Sequence, residues 1–282
     1  MKIFKTKKDL QPYLERHKEM GRRVGFAPTM GALHPGHLSL YEAARKDNDL
    51  VVSSIFVNPT QFDNTSDLAK YPRDVESDIE ILKNSGLADV VYIPSVAEIY
   101  PDGLKSKEYD FGGLEQEMEG QFRPGHFNGV GTVVEELFRQ VNPHNAYFGE
   151  KDYQQLAIIR KLTEILSLPI NIHGVAIHRD ANGLAMSSRN QRLSSDEKTA
   201  SKIIHETLQK VNDWFRIITI PEINSRVQEI FNDLEGMTLE YFKIADEETL
   251  KETDFFYVDH NYRAFIVVHV GEVRLIDNLH LD

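Results

Sequence analysis

The chain has 282 residues, a formal net charge of −12, 41% hydrophobic and 27% charged residues, and no cysteine. This composition is typical of a globular protein with one large or two ordinary cores, and the negative charge argues against a nucleic-acid partner. The lack of cysteine excludes disulfides, cysteine-ligated zinc and a thiol nucleophile. No run approaches the ~18 apolar residues of a membrane span and the first residues form no secretory signal, so we expect a cytoplasmic protein without a membrane partner.

The first strand-to-helix turn is the most informative stretch of the sequence. An apolar run over residues 24–27 predicts a short buried strand, which Pro28 ends because proline has no N–H for the ladder. From His37 onward the apolar residues take helical spacing. Gly31 and Gly36 allow a tight turn between the two elements. Such a turn presents free main-chain N–H groups at the positive end of a helix dipole, which favours an anion.

Two histidines, His34 and His37, lie in this turn with His-x-x-His spacing. An imidazole can donate a hydrogen bond to phosphate, and its charge changes near neutral pH. Two solvated histidines, or a pair of zinc ligands, would fit the same spacing. The position at a strand-to-helix junction favours a phosphate site.

A second strand is predicted over residues 50–57, where a nearly continuous apolar and β-branched run suits a central parallel strand. Asn58 and Gln61 follow it, and in a doubly wound sheet the residues after a strand line the ligand crevice. Their amides are therefore placed to make uncharged, directional hydrogen bonds to a substrate. An ordinary turn is the alternative, which the Asn-Pro pair alone would explain.

Lys151 occupies another junction of this kind, between a predicted strand over residues 146–148 and a predicted helix over 156–165. A lysine at a helix N-terminus opposes the helix dipole unless an anion is present. We therefore expect Lys151 to contact phosphate, with a solvated lysine as the alternative.

The remaining elements of the first part follow from the same patterns. A long connection over residues 100–125 has no clear period, as is common for functional or mobile segments. The other predicted elements are helices over 9–19, 74–84 and 130–141 and strands over 90–93 and 169–177.

A polar loop over residues 179–190 follows the last of these strands. Its two hydroxyls and guanidinium, from Ser187, Ser188 and Arg189, can bind a triphosphate through several donors at once. Gly183 and the polar run before it favour a mobile lid. An ordinary polar loop would have the same composition.

The pattern changes after about residue 192. Helices are predicted over 196–211 and from Pro221 onward, followed by strands over 239–244, 264–270 and 273–277. The predicted fold class is therefore α/β, with a doubly wound, Rossmann-like parallel sheet over residues 1–184 and a smaller α+β domain over 185–282.

The His-Pro-Gly-His string at 34–37 resembles the HIGH signature of the nucleotidyltransferase superfamily. The longer string at 28–40 resembles the pantoate–β-alanine ligase family, as do four further blocks in the same order, residues 56–62, 123–134, 148–156 and 183–190. The block at 183–190 also resembles the superfamily's KMSKS-like loop, with Arg189 where a lysine often stands.

The resemblance implies that ATP and pantoate form pantoyl adenylate and pyrophosphate, and that β-alanine then gives pantothenate and AMP. It also implies a homodimer, Mg²⁺ carried on the ATP phosphates rather than in a protein cage, and a second domain that closes over ATP. The implied catalytic residues are His34, His37, Lys151 and Arg189. The implied ATP-binding positions are Met30, Gly31, His34, Gly36, His37, Gly149, Glu150, Lys151, Asp152, His178, Met186, Ser187, Ser188 and Arg189. The implied substrate-binding positions are Asn58, Gln61, Tyr71, Arg123 and Gln155.

Two other functions fit part of the sequence. A nucleotidyltransferase that leaves a nucleotide on its product would share the first and last signatures but would not need Gln61 and Gln155. A catalytically silent nucleotide-binding module would not need donors on three separate loops. Release of AMP, rather than a stable nucleotidyl product, distinguishes the ligase from the nucleotidyltransferase.

Overall fold

The computed structural model describes residues 1–62, 68 and 71–282. The chain forms two compact units. Unit 1 comprises Met1–Glu150 and Gln154–Ala176, and unit 2 comprises Lys151–Tyr153 and Ile177–Asp282. The longer range of unit 2 starts at Ile177, and the unit also includes the segment around Lys151. The predicted domain boundary near residue 185 stays a prediction.

Unit 1 is built on a parallel sheet with strand order β1-β4-β3-β2-β5-β6. Parallel strands need crossover connections, and these are made mostly by helices. The expected doubly wound parallel sheet is confirmed. The strands are β1 Lys2–Phe4, β2 Val24–Thr29, β3 Leu50–Ile55, β4 Val90–Tyr92, β5 Asn145–Gly149 and β6 Asn171–Val175.

Helices cover both faces of this sheet because successive residues of a strand point to opposite sides. Ala27 of β2 packs in a cluster with Tyr41 and Leu82, whereas Phe26 lies with its ring centroid 6.3 Å from that of Phe138. Among the described residues, the helices that start in unit 1 are α1 Lys7–Glu19, α2 Pro35–Asp47, α3 Val75–Ser85, α4 Val96–Ile99, α5 Glu119–Phe122 and α6 His126–Val141. Helix α7, Tyr153–Ile165, starts at the last residue of the Lys151–Tyr153 segment.

One expectation for the sheet is wrong, and one strand was not predicted. Strand β2 does not end at Pro28 but pairs with β3 through Thr29. Proline is tolerated there because the ladder between β2 and β5 reaches only Phe26, so one edge of β2 is unpaired beyond that point. The edge strand β1 was not expected, because three residues are too few to show a period.

Unit 2 is a small α+β unit, as expected. Its antiparallel sheet has the order β7-β8-β9, and Ile266 and Val268 of β8 share a core with apolar residues of two helices. The predicted helix over 196–211 is instead two helices, separated at Ser201, whose main-chain N–H and hydroxyl both donate to the Glu197 carbonyl. The elements are α8 Ser195–Ala200, α9 Lys202–Trp214, α10 Ile220–Asn232, β7 Met237–Asp246, β8 Tyr262–Val270 and β9 Val273–Leu281. Across the described ranges of both units, no helix combines the length and the apolar character that crossing a membrane requires.

Candidate active site

The carboxyl ends of β2, β3 and β5 lie side by side at one edge of the unit 1 sheet. The chain leaves β2 toward β3 on one side and later returns to β5 on the other, so β2 and β5 flank the topological switch point. Ligands of open α/β sheets bind outside this point. The turn after β2 and the segment after β3 both lie there, as predicted from their positions after strands.

The turn after β2 is held by a residue outside every sequence block. The carboxylate of Asp78, in α3, accepts hydrogen bonds from the main-chain N–H of Ala32 at 3.0 Å and of Leu33 at 2.7 Å. Gly31 has a φ of 83°, and a Cβ there would come within 2.7 Å of the Asp78 carboxylate. Glycine is therefore required at 31 for its conformation and for the approach of the carboxylate.

Asp78 is itself buried, with 3% of its surface exposed. Burial raises the pKa of its carboxyl, although the hydrogen bonds from Leu33 and Ala32 act in the opposite direction. The ionised form is thus stabilised locally by the turn and destabilised by its surroundings. The sequence gives no sign of this residue, because an aspartate in an amphipathic helix is usually solvated.

In residues 31–34 of this turn the main-chain N–H groups are not free, contrary to the prediction from the sequence. The N–H of Gly31 donates to the hydroxyl of Thr29 at 3.3 Å, and that of His34 donates to Nδ1 of His37 at 3.3 Å. With Ala32 and Leu33 bonded to Asp78, the N–H groups of all four residues have protein partners. Side chains, rather than this stretch of main chain, are therefore the donors for an anion here.

His34 and His37 do lie together. His34 precedes α2, whose first residue is Pro35, and the two ring centroids are 4.0 Å apart. Because Nδ1 of His37 accepts a hydrogen bond, the proton of its neutral ring lies on Nε2. Gly36 lies in the first turn of α2.

Met30, a predicted ATP-binding residue, contacts Gln61, a predicted substrate-binding residue. The side-chain amide of Gln61 donates to Sδ of Met30 at 2.8 Å and accepts from Nδ2 of Asn58 at 3.2 Å. Asn58 is buried, and it also accepts from the Tyr100 hydroxyl at 2.5 Å and donates to the Gly129 carbonyl at 3.1 Å. Asn58 therefore orients Gln61, a role that its expected position as a substrate ligand did not predict.

Arg123 and His126 both contact the main chain of Gln61. The Arg123 guanidinium donates to the Gln61 carbonyl at 3.0 Å, and Nδ1 of His126 lies 2.9 Å from the same oxygen. Tyr71, a further predicted substrate residue, is buried with its ring centroid 5.6 Å from that of Phe62. Gln61 is thus held through its main chain and through its side chain.

Adjacent glutamines at the start of α7 have different environments. Gln154 is buried and bonds three main-chain groups, the N–H of Glu119 at 3.0 Å and the carbonyls of Leu114 and Glu117, both at 2.8 Å. Gln155, the predicted substrate residue, is half-buried, and its side chain makes no hydrogen bond within the described ranges. Of these two glutamines, Gln155 is therefore the one whose amide is available to a ligand.

The segment around Lys151 belongs to unit 2, although it directly follows β5. Gly149 ends that strand, and Glu150–Asp152 form a single 3₁₀ turn. Nζ of Lys151 lies 3.7 Å from the carboxylate of Asp152, and the Lys151 carbonyl accepts a hydrogen bond from Nδ2 of Asn278 at 2.8 Å.

The predicted polar loop of unit 2 is more ordered than its composition suggests. Arg179 pairs with Ala185 as an antiparallel bridge, and the Met186 N–H donates to the carbonyl of the exposed His178 at 3.0 Å. Ser187 then caps a 3₁₀ helix, Ser188–Arg192. Its anchoring residues Leu184, Ala185, Ser188 and Asn190 are all buried.

A bidentate ion pair fixes the base of this hairpin. The Arg179 guanidinium donates to the two carboxylate oxygens of Asp277 at 2.6 and 2.9 Å, and to the Gly183 carbonyl at 3.0 Å. The Asp277 side chain is 2% exposed and the Arg179 side chain 17%. Asp277 and Asn278, neighbours on β9, thus hold the two unit 2 segments that carry predicted phosphate-binding residues.

The described residues include no group of three or more histidines, aspartates and glutamates arranged to hold a metal ion. Within unit 1 the structure brings together His34 with His37, and Met30 with Gln61. Within unit 2 it links Lys151 and the 179–192 segment to one strand. Asp78, Asp277 and Asn278 are the residues that the sequence patterns missed.

Known proteins of one family resemble the chain over its whole length. The family model described as pantoate-beta-alanine ligase matches residues 2–280. The pantothenate synthetase of Flavobacterium psychrophilum is 48% identical over 281 residues, with 100% of both chains covered, and that of Bacteroides fragilis is 44% identical, with 99% of this chain and 98% of the relative covered.

Solved structures agree with this match. Pantothenate synthetase from Thermus thermophilus has a TM-score of 0.90 at 38% identity, covering 99% of each chain. Pantoate-beta-alanine ligase from Francisella tularensis, complexed with beta-gamma ATP and beta-alanine, has a TM-score of 0.81 at 35% identity, covering 99% of this chain and 97% of its own. The chain therefore belongs to the pantoate–β-alanine ligase family.

Proposed function

We propose that this enzyme condenses (R)-pantoate with β-alanine in two steps that consume ATP. A pantoate carboxylate oxygen attacks the α-phosphorus of ATP and pyrophosphate leaves, which gives pantoyl adenylate. The amine of β-alanine then attacks the acyl carbon, loses a proton, and AMP leaves with the carboxylate oxygen. Family membership and the ATP and β-alanine bound by the Francisella ligase support this reaction.

The observation that carries the proposal is the pair of adjacent histidines at the N-terminus of α2, whose ring centroids lie 4.0 Å apart, in the unit where Met30 contacts Gln61. Attack on the α-phosphorus needs neutralised charge and aligned reactants, with little covalent chemistry from the protein. His34 and His37 supply donors to the phosphates from unit 1, and the Nε2 proton of His37 is one of them. Lys151, Ser187, Ser188 and Arg189 are the further proposed donors.

Magnesium enters as part of the substrate in this proposal. The described residues offer no cage of carboxylates and imidazoles, and Mg²⁺ keeps much of its hydration and binds phosphates readily. MgATP is therefore the expected substrate form, and no protein residue is assigned as a metal ligand.

Gln61 and Gln155 are the proposed pantoate ligands. Amide side chains bind a hydroxyl and a carboxylate without an added cation that would hold the nucleophile too firmly to react. The held geometry of Gln61 supports its assignment, and the Gln155 amide, unlike that of Gln154, keeps its hydrogen-bonding capacity. A cytoplasmic homodimer remains a prediction.

Oxygen labelling tests the route directly. With [¹⁸O]carboxylate pantoate, the adenylate route transfers one label to AMP, because the attacking oxygen stays on phosphorus when the amine displaces AMP. Exchange of labelled pyrophosphate into ATP should require pantoate but not β-alanine. Label in pyrophosphate instead of AMP would contradict the adenylate, and a stable nucleotidyl product would indicate the alternative nucleotidyltransferase.

A further inference from the structure

The main-chain carbonyl of Lys151 is bonded to a side chain that lies much later in the sequence. Its carbonyl accepts a hydrogen bond from Nδ2 of Asn278, 127 positions later, at 2.8 Å. Asn278 is 2% exposed, whereas the Lys151 side chain is 18% exposed. The donor is thus buried, and the lysine that it holds is partly exposed.

Asn278 is fixed in turn by Arg263 of β8. The guanidinium donates to Oδ1 of Asn278 at 2.6 Å and to the carboxylate of Glu247 at 2.7 Å. The same guanidinium lies 4.0 Å from the ring centroid of Tyr153. Residues 151–153 are therefore held at two points, by a hydrogen bond to the Lys151 carbonyl and by a cation–π contact to Tyr153.

The Lys151 segment needs external support of this kind. A single 3₁₀ turn, Glu150–Asp152, has few internal hydrogen bonds. The Asp152 carboxylate lies 3.7 Å from Nζ of Lys151 and competes with any phosphate for the ammonium group. Since a lysine side chain has four flexible bonds, its main chain must be fixed if Nζ is to reach one position repeatedly.

We propose that Asn278 is a positioning residue for Lys151, which fixes the lysine main chain so that Nζ meets the ATP phosphates during adenylation. This inference rests on the proposed function, in which Lys151 contacts ATP. Asn278 would act only through Lys151 and would not touch the substrate itself.

The chemistry of the site explains why an amide stands at 278. The Arg263 guanidinium can only donate, and the Lys151 carbonyl can only accept. A side chain between them must accept on one side and donate on the other. Asparagine does both, whereas aspartate keeps the acceptor for Arg263 and loses the donor for Lys151. Asn278→Asp therefore separates the link to Lys151 from the link to Arg263.

A double-mutant cycle tests the proposal on the full chain. Pantoate-dependent pyrophosphate exchange is measured for the wild type, Asn278→Asp, Lys151→Ala and the double variant, with kcat and both KM values. We expect Asn278→Asp to lower kcat by roughly 10-fold or more, toward the ~10²-fold that a misplacement of about 1 Å costs, with the KM for pantoate unchanged. In the Lys151→Ala background the same substitution should have almost no further effect.

The cycle also separates positioning from the added charge of aspartate. A negative charge acting through space on ATP would slow exchange equally with or without the Lys151 side chain. Equal slowing in both backgrounds, or wild-type kcat for Asn278→Asp, would overturn the proposal. Should Asn278→Asp fail to fold, Asn278→Ala takes its place in the same cycle.

Asn212→Ala is the matched control. Asn212 also bonds main chain at the end of β9, accepting from the N–H of Asp282 at 3.0 Å, and this bond does not involve Lys151. It should keep wild-type kcat, and a loss like that of Asn278→Asp would overturn the specific role of Asn278. If the wild type itself shows no pantoate-dependent exchange, the proposed function is wrong, which is a different result from an additive cycle in an active enzyme.

Discussion

The segments after β2 and after β5 look alike in sequence but are held in opposite ways. Asp78, 45 positions beyond Leu33, accepts hydrogen bonds from main-chain N–H groups of the first segment. Asn278, 127 positions beyond Lys151, donates a hydrogen bond to a main-chain carbonyl of the second. In both, a buried polar side chain from outside the sequence block fixes the main chain that carries the predicted phosphate donors.

The difference lies in which main-chain groups are occupied. After β2 the carboxylate of Asp78 occupies the N–H groups of Ala32 and Leu33, so these two groups are not donors for a phosphate and the proposed donors are the histidine side chains. After β5 the amide of Asn278 occupies a carbonyl, which leaves the lysine side chain as the donor. A motif at the end of a parallel strand thus identifies the site, whereas the residues that make it rigid come from elsewhere in the fold.

The largest expected effect concerns the ion pair beside Asn278. Asp277→Ala leaves the Arg179 guanidinium in a largely buried position without its carboxylate, and breaking a buried pair in this way costs about 3–5 kcal/mol. We expect the free energy of unfolding to fall by that amount. Urea unfolding followed by the fluorescence of Trp214, the only tryptophan and a residue packed on the unit 2 core, measures it.

The matched variant removes both charges. Arg179→Met with Asp277→Leu leaves no unpaired buried charge, so it should recover much of the lost stability. Pyrophosphate exchange should stay low in this double variant, because the hairpin that leads to Ser187 and Arg189 loses its anchor. If the single and double variants are equally unstable, the ion pair is not what holds the hairpin.

The second-largest expected effect concerns His37, a proposed phosphate donor in the turn after β2. His37→Gln keeps an acceptor for the His34 N–H, because a glutamine at this helix position makes the usual capping-box bond. It removes the imidazole donor, and we expect adenylation to fall by roughly 10²-fold, as for the loss of one preorganised donor. Pantoate-dependent exchange is the assay, and an unchanged melting temperature is the control. Near-normal exchange would move the donor role away from His37.

A smaller effect distinguishes the two neighbouring glutamines. Gln154→Ala leaves three main-chain partners without the amide and should lower the free energy of unfolding by about 1–3 kcal/mol. Gln155→Ala should leave stability unchanged and raise the KM for pantoate more than that for ATP. The two variants are each other's control, measured by urea unfolding and by exchange kinetics. A loss of stability in Gln155→Ala with an unchanged KM would contradict the assignment.

The glutamine pair also shows what sequence patterns can and cannot predict. Periodicity and the positions after strands predicted the parallel sheet, the small α+β unit and the junctions that carry His37 and Lys151, since these depend on local spacing. The roles of Gln154 and Gln155 depend on what packs against α7 from a distant connection. No local pattern contains that information.

Helix α3 gives a second example. Val75, Ile79 and Leu82 have the helical apolar spacing of one buried face, yet Val75 is 38% exposed while Asp78 is 3% exposed. A hydrophobic pattern treats every aspartate as solvated, so it rotates the predicted buried face away from the side that carries Asp78. Hydrophobic periodicity therefore located helix α3 but could not identify Asp78, the residue that holds the turn after β2.

The smallest expected effect tests that turn. Asp78→Asn replaces one carboxylate oxygen by an NH₂ group that faces a main-chain N–H of Ala32 or Leu33, so one hydrogen bond is lost and two donors oppose each other. We expect adenylation to slow by roughly 10-fold, equivalent to about 1.4 kcal/mol. Asp74→Asn is the matched control, because Asp74 caps the same helix through Ser77 and does not contact the turn; it should keep wild-type exchange.

Asp78→Asn also tests how the free energy of unfolding depends on pH. Burial raises the pKa of Asp78 above its usual 3.8, with a smaller contribution from the nearby charge of Asp74. As pH rises above 3.8, the unfolded chain loses this proton while the folded chain keeps it, so the wild type loses stability until pH passes the folded pKa. Asp78→Asn lacks this loss. Urea unfolding between about pH 3.5 and 7 should therefore show that the stability of the wild type, relative to Asp78→Asn, decreases as pH rises. An increase would show that the hydrogen bonds from the turn, rather than burial, have the larger effect on the pKa of Asp78.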